Sequence, residues 1–388
     1  MSQTSLVPHT LVITNDFPPR DGGIQTFIFE LVKRFDPATI TVLASDYPGA
    51  HDFDASLDFR VVRAKTNTLL PSSSTRKLAR QIVVETGATR VVFGAAAPLG
   101  LMSTYLRSLG VTRIIGITHG HEAGWALTPV TRQLLRAIGN RVDVLTYLGS
   151  YTKEKIGAVL SESARLSLRQ LAPAVDPEVF HPRNKILAES FREAHGLVDK
   201  KVIVCVSRLM ERKGQDVLIE SMSRIVKAMP DAHLLIVGGG SYESQLSGLV
   251  NKLGLFNHVT FAGKVPYAEL PTWYAVGDLF AMPCRTRNAG WDVEGLGIVF
   301  LEASATGLPV IAGNSGGAPD AVVQGTTGFV VDGANCDEVA ERILQVLGDS
   351  ELADRMGAAG REWVLDHWTW ERAVTRLQKL LAGSDPDA

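Results

Sequence analysis

Apolar residues recur along this chain in two rhythms. Short runs in which nearly every position is apolar, such as Leu11-Val12-Ile13, are followed by stretches with three-four spacing, such as Ile24, Phe27, Ile28, Leu31, Val32 and Phe35. The second spacing is the one-sided stripe of an amphipathic helix. Further strand-like runs fall at 40–44, 59–63, 90–93, 113–118 and 142–147. The rhythm restarts at 201–207 and continues at 232–237, 258–262, 279–283, 309–312 and 328–331. Uninterrupted apolar runs mark strands buried on both faces, so their alternation with helices predicts parallel sheets covered by helices. Two complete series predict an α/β protein of two doubly wound, Rossmann-like domains, each with its ligand site at the C-terminal ends of the strands.

The break between the series falls at Ala172-Pro173-Ala174-Val175-Asp176-Pro177, where two prolines interrupt any regular element. It separates an N-terminal domain, 1–172, from a second, 173–369. Helices are expected at 337–347, 350–366 and 369–381. A length of 388 residues exceeds what one hydrophobic core ordinarily serves, which agrees with two domains.

Composition narrows the class. Hydrophobic residues make up 45% and charged residues 21%, a globular and not a disordered profile. The longest weakly polar run, 91–102, falls short of the roughly 20 residues a membrane-spanning helix needs. The start, Met1-Ser2-Gln3-Thr4-Ser5, lacks the basic and apolar segments of a secretory signal. Cys205, Cys284 and Cys336 are odd in number and widely spaced, which argues against a disulfide framework and fits a reducing, cytoplasmic compartment. Net charge is -2, but residues 1–170 carry 19 Lys and Arg against 13 Asp and Glu. No acid occurs between Asp58 and Glu85, while Arg60, Arg63, Lys65, Arg76, Lys77 and Arg80 do. The first half is therefore a candidate for contact with an anionic partner.

Five clusters carry candidate chemistry. Asn15-Asp16-Phe17-Pro18-Pro19-Arg20-Asp21-Gly22-Gly23 lies between a strand and a helix. Paired glycines at a helix start let main-chain N–H groups approach an anion, or simply make a tight turn. Arg208 and Lys213 leave the tip of the first strand of the second series, where two cations can clamp a diphosphate; Arg212 between them reads as solvated. Glu294 and Glu302 flank a glycine turn and an apolar helix starting near Gly297. Eight residues of helix span roughly 12 Å, too far to share a proton but suited to gripping two parts of an extended ligand. Thr118-His119-Gly120-His121-Glu122 follows a strand; its histidines lack the further ligands and spacing of a zinc site. Val237-Gly238-Gly239-Gly240-Ser241 looks like a nicotinamide-binding turn but has no acidic ribose partner, and reads as a loop lining the site.

Together, the Arg208…Lys213 pair, the Glu294…Glu302 spacing, Gly22-Gly23 and the strand-end His119 resemble the retaining glycosyltransferases of the GT-B fold, specifically their fourth sequence family, from about Thr10 to Leu381. With Gly124-Trp125, the His119 segment is most similar to the actinobacterial phosphatidylinositol mannoside mannosyltransferases. The resemblance implies two domains facing across a cleft, the first completed by a C-terminal helix from residue 370 to 388. It implies GDP-mannose as donor substrate, an anionic glycolipid acceptor at the inner membrane surface, no nucleic acid, and no required metal. It assigns Arg208 and Lys213 to the donor diphosphate, helped by main chain at Gly22 and Gly23, and Glu302 to the ribose hydroxyls. It gives the base to the main chain of Val265 and the transferred sugar to Glu294 with Gly295, Leu296, Gly297 and Ile298. His119 is placed beside the anomeric centre.

With no carboxylate assigned to the anomeric carbon, same-face attack is expected, the departing phosphate taking the acceptor's proton. Leu69 and Leu70 followed by Arg76, Lys77 and Arg80 form an expected peripheral membrane patch. Other classes stay open at this level. An NAD-dependent oxidoreductase needs a G-x-G-x-x-G after the first strand, which Gly22-Gly23 does not supply. A non-catalytic nucleotide-sugar binder is disfavoured by having both Glu294 and His119. A transferase using a UDP-sugar and a soluble acceptor is the alternative within the same chemistry.

Overall fold

The protein is described here by a computed structural model covering residues 7–386; residues 1–5, read above as lacking a secretory signal, lie outside the described residues. The chain divides into two compact units, one formed by the residues up to Pro173 with those from Trp370 on, the other by Ala174–Thr369.

In the first unit the strands are β1 (Thr10–Thr14), β2 (Ile40–Ser45), β3 (Arg60–Ala64), β4 (Arg90–Phe93), β5 (Arg113–Gly116), β6 (Val144–Tyr147) and β7 (Arg169–Gln170). They form one parallel sheet in the order β3-β2-β1-β4-β5-β6-β7. Ile13 stands opposite both Leu43 and Phe93, and all three sit in the same apolar core with Ile114 and Leu145. In the second unit β8 (Lys201–Val206), β9 (Ala232–Val237), β10 (Val259–Gly263), β11 (Leu279–Met282), β12 (Val310–Gly313) and β13 (Gly328–Val331) form a parallel sheet ordered β10-β9-β8-β11-β12-β13. Each sheet reverses its direction of winding once, at β1/β4 and at β8/β11. In open α/β sheets such reversal points, at the strands' C-terminal ends, are where ligand sites form.

The strand expectations shift where side chains or helix ends intervene. The 142–147 run starts late because the Val142 N–H still bonds the Ile138 carbonyl of the preceding helix. The 113–118 run stops at Gly116; the Thr118 N–H bonds the Thr146 hydroxyl, outside the ladder. Strand β7 has only two residues, too few to show a period, and was not anticipated. The last helix, Trp370–Ala382, packs into the first unit: Arg113 Nε donates to the Leu380 carbonyl at 2.8 Å and Arg376 Nε to the Gln170 carbonyl at 2.7 Å. Residues 387–388 lie outside the described residues.

Candidate functional site

Five loops meet at the C-terminal ends of β8 to β12 in the second unit. The loop after β8 carries Arg208, Arg212 and Lys213 and turns into the helix Gln215–Ala228 through Gly214. Gly214 has φ 75°, and a Cβ there would lie 1.9 Å from the Pro283 carbonyl, so the β8 and β11 loops touch main chain to main chain. Ion pairs bind these loops together. Arg285 grips Asp216 through two nitrogens at 2.8 and 2.7 Å, Arg287 pairs with Glu211, and Arg212 Nε lies 3.1 Å from Asp292. The 238–240 loop joins through the Leu209 N–H, which donates to the Gly239 carbonyl, consistent with its reading as a lining loop.

Lys213 and Glu294 are both buried, and their charges meet: Nζ lies 2.7 Å from Oε2, which also receives Arg212 Nη1 at 2.6 Å. Burial alone would lift the Glu294 carboxyl, but Lys213 and Arg212 outweigh it and hold the group below its ordinary range. Glu294 is thus an anion at neutral pH. The reading of Arg212 as solvated is corrected. Its side chain is 14% exposed and braces Glu294, a role that adjacency to Lys213 hinted at but solvated turns share. Arg208, by contrast, is exposed, and its side chain makes no ion pair or hydrogen bond among the described residues. Only its carbonyl is used, accepting Gln215 Nε2.

The helix Ile298–Ala305 begins after Gly297, leaving Glu294 to Gly297 as the turn at its amino end. A second glycine loop, which sequence reading passed over, supports that turn. Gly316, at φ 53°, approaches so closely that a Cβ would lie 2.0 Å from the Glu294 carbonyl, and the Gly317 N–H donates to that carbonyl at 2.9 Å. The pair Gly316-Gly317 following an apolar strand was the available signal. Glu302 lies inside, where Tyr274 Oη donates to its Oε2 at 2.7 Å; burial pushes its carboxyl up to about 7. Val265, just past the end of β10, has main-chain groups without a hydrogen-bond partner among the described residues. Cys205 and Cys284 are buried, which pushes both thiols up to about 12 and keeps them protonated.

In the first unit Gly22 and Gly23 are exposed at the start of the helix Gly23–Val32, whose first turn has no acidic side chain. Asn15 holds the preceding loop by donating to the Leu69 carbonyl and accepting its N–H. His119 follows β5. Its Nε2 bonds the Gly94 carbonyl, its main-chain N–H donates to Glu122 Oε2 at 2.9 Å, and the Phe27 ring meets it edge-on. Burial pushes the imidazole below its ordinary value, against the opposing charge of Glu122. Among the described residues no three His, Cys, Asp or Glu side chains are placed to hold a metal ion.

The basic stretch resolves into two groups. Arg63 is structural, held by Asp54 at 2.7 Å and by the Pro18 and Ser45 carbonyls, and Arg60 pairs with Glu85. Arg76, Lys77 and Arg80 are exposed on the helix Ser73–Thr86 and make no ion pair among the described residues. Leu70 and Val84 are exposed as well. The expectation that Leu69 joins this surface is corrected: it is fully buried in the core. No helix among the described residues is long and apolar enough to cross a membrane.

Comparison with known proteins shows the family. Residues 188–363 match the family model described as glycosyl transferases group 1. The chain is 46% identical to the GDP-mannose-dependent alpha-(1-6)-phosphatidylinositol monomannoside mannosyltransferase of Mycolicibacterium smegmatis, covering 96% of this chain and 98% of that one. It is 44% identical to the GDP-mannose-dependent monoacylated alpha-(1-6)-phosphatidylinositol monomannoside mannosyltransferase of Corynebacterium glutamicum, covering 96% and 97%. Among solved structures, Anabaena HepE in complex with UDP superposes with a TM-score of 0.80 at 17% identity, covering 97% of this chain and all of that one, a likeness of fold.

Proposed function

The chain belongs to the group 1 glycosyl transferases and, within them, to the phosphatidylinositol monomannoside mannosyltransferases, and from that premise we propose that it moves mannose from GDP-mannose to a phosphatidylinositol mannoside, with retention, at an anionic membrane surface. It is a glycosyltransferase of the GT-B fold, two Rossmann-like units each built on a parallel sheet. The observation that carries the substrate reading is similarity at 44–46% identity over nearly the full length of this chain and its relatives.

In this reading Arg208 and Lys213 stabilise the charge that develops on the departing diphosphate. Arg208 has no ion-pair partner to release, whereas Lys213 already shares Glu294 with Arg212. Glu294, held ionised, accepts hydroxyls of the transferred mannose. The turn Gly295, Leu296, Gly297 and Ile298 offers main-chain donors at the helix's amino end. Glu302 takes the ribose hydroxyls, Val265 the base, and Gly22 and Gly23 the outer phosphate. His119 contacts the sugar beside the anomeric carbon. The acceptor hydroxyl attacks that carbon on the face the phosphate leaves; the carbon–oxygen bond to phosphate breaks, and the hydroxyl proton passes to the departing phosphate oxygen. Trapping a covalent mannosyl ester on a carboxylate would overturn this step. Arg76, Lys77 and Arg80 hold the helix Ser73–Thr86 to anionic lipid, which places the enzyme on the inner face of the cell membrane.

A thermal-shift panel of GDP-, UDP- and ADP-sugars, followed by transfer to phosphatidylinositol monomannoside in vesicles, tests the reading, since a bound donor raises folded-state stability. Stabilisation by GDP-mannose and formation of an α-linked dimannoside are expected. Selective stabilisation by a UDP- or ADP-sugar would replace the donor.

A further inference from the structure

Glu122 is completely enclosed, and the transfer chemistry above does not use it. A carboxylate withdrawn from water is costly unless hydrogen bonds or a cation compensate it, so the partners it does have define its environment. Its Oε2 accepts the His119 N–H at 2.9 Å. Its Oε1 makes no hydrogen bond among the described residues and lies 3.4 Å from Nε2 of His121, whose ring stacks on that of His119 at 6.2 Å. The His119 ring is defined on its other side too. A carbonyl can only accept, so the bond to Gly94 places a proton on His119 Nε2; in the neutral ring Nδ1 is then an acceptor, and it makes no hydrogen bond among the described residues.

We infer that Glu122 is a positioning residue for the transfer reaction: by anchoring the His119 main chain it sets the ring against the Gly94 carbonyl in the Nε2–H form and leaves Nδ1 to accept a hydroxyl of the bound sugar. The inference rests on the mannosyl-transfer reading. Charged and titratable groups facing the ring are Glu122, His121 and Asp16; burial lowers the imidazole further than Glu122 and Asp16 raise it, so the ring is uncharged at neutral pH. An uncharged ring is what the acceptor role of Nδ1 requires.

Nitrogen-15 NMR of the full wild-type chain labelled at histidine reads the tautomer, with His119→Gln used only to assign the signal. The Nε2–H tautomer is expected at neutral pH, and the Nδ1–H tautomer overturns the inference. Kinetics supply the second arm. Glu122→Ala removes both the acceptor and the charge and should lower kcat about a hundredfold with KM for GDP-mannose unchanged, the signature of misplacement near the reacting centre. Glu122→Gln keeps an acceptor oxygen for the His119 N–H and should recover about tenfold of that loss. Wild-type kcat in either variant overturns the inference; should Glu122→Ala not fold, Glu122→Gln and the tautomer decide. A wild-type enzyme that does not use GDP-mannose would overturn the reaction reading instead, and the tautomer would still report on how the His119 ring is set.

Discussion

Lys213 and Glu294, 81 positions apart in the chain, form a buried ion pair at 2.7 Å, and Arg212 shares the same carboxylate oxygen. Resemblance assigns the lysine to the donor's diphosphate and the glutamate to its sugar. The structure joins them into one unit.

That joining separates Arg208 and Lys213, the two cations proposed for the diphosphate, by their effect on stability. Lys213→Met leaves Glu294 buried with one partner fewer and should cost about 3 kcal/mol, the low end for a broken buried pair because Arg212 still holds the carboxylate. Arg208→Ala removes an exposed side chain and should change stability by less than about 0.5 kcal/mol. Both should lower kcat by about a hundredfold or more. Chemical denaturation beside steady-state kinetics checks the split: equal stability losses would contradict it.

Glu302 predicts a pH dependence. Burial lifts its folded-state value to about 7, above the ordinary 4.5, so the native state keeps this proton after the unfolded chain has lost it. The contribution to stability is therefore full below about pH 4.5 and is lost as pH rises through about 7. Glu302→Gln keeps an acceptor for Tyr274 and should raise Tm relative to wild type at pH 8 but not at pH 4. In its proposed role at the ribose Glu302 acts as the ionised acceptor, so GDP-mannose affinity should weaken below pH 7 in wild type and be weaker but flat in the variant. Thermal melts and calorimetric titrations across pH measure both.

The helix Ser73–Thr86 allows a surface test with little effect on folding. Arg76, Lys77 and Arg80 are exposed and make no ion pair among the described residues, Arg76 lying over the Tyr105 ring at 5.6 Å, and each is worth about 1 kcal/mol at an anionic membrane. Reversing all three to Glu should abolish sedimentation with anionic vesicles while the chain stays folded, the lost Arg76–Tyr105 contact costing at most about 1 kcal/mol. Leu69→Asp should unfold the first unit instead, since that side chain lies in the core. Unchanged vesicle binding by the triple variant would remove the patch.

Gly316 supports the 294–297 turn, proposed to hold the transferred sugar, from behind. Gly316→Ala places a Cβ about where the Glu294 carbonyl lies, on a residue whose φ of 53° already disfavours a side chain. The turn must shift, so kcat should fall by about a hundredfold with circular dichroism of the two sheets retained. Full activity would show that the turn tolerates the displacement.

Most of the architecture was legible in order of residues, because a strand buried on both faces must be apolar throughout and a helix covering it must be apolar every third or fourth position. That requirement is local, and it placed β1 to β6 and β8 to β13 to within a residue or two; only the two-residue β7 carried no period. The strand-end positions of Arg208 and His119 were visible for the same reason, since each follows an apolar run. What the chain could not disclose in one dimension is which distant charges meet and which side of a turn faces inward. The burial of Leu69 beside exposed Leu70, the capture of Arg212 by Glu294, and the hold of Glu122 on His119 depend on close packing between loops from different strands. Coulomb attraction and desolvation act over a few ångströms of space whatever the separation in sequence, so those relationships came into being only when the sheets folded.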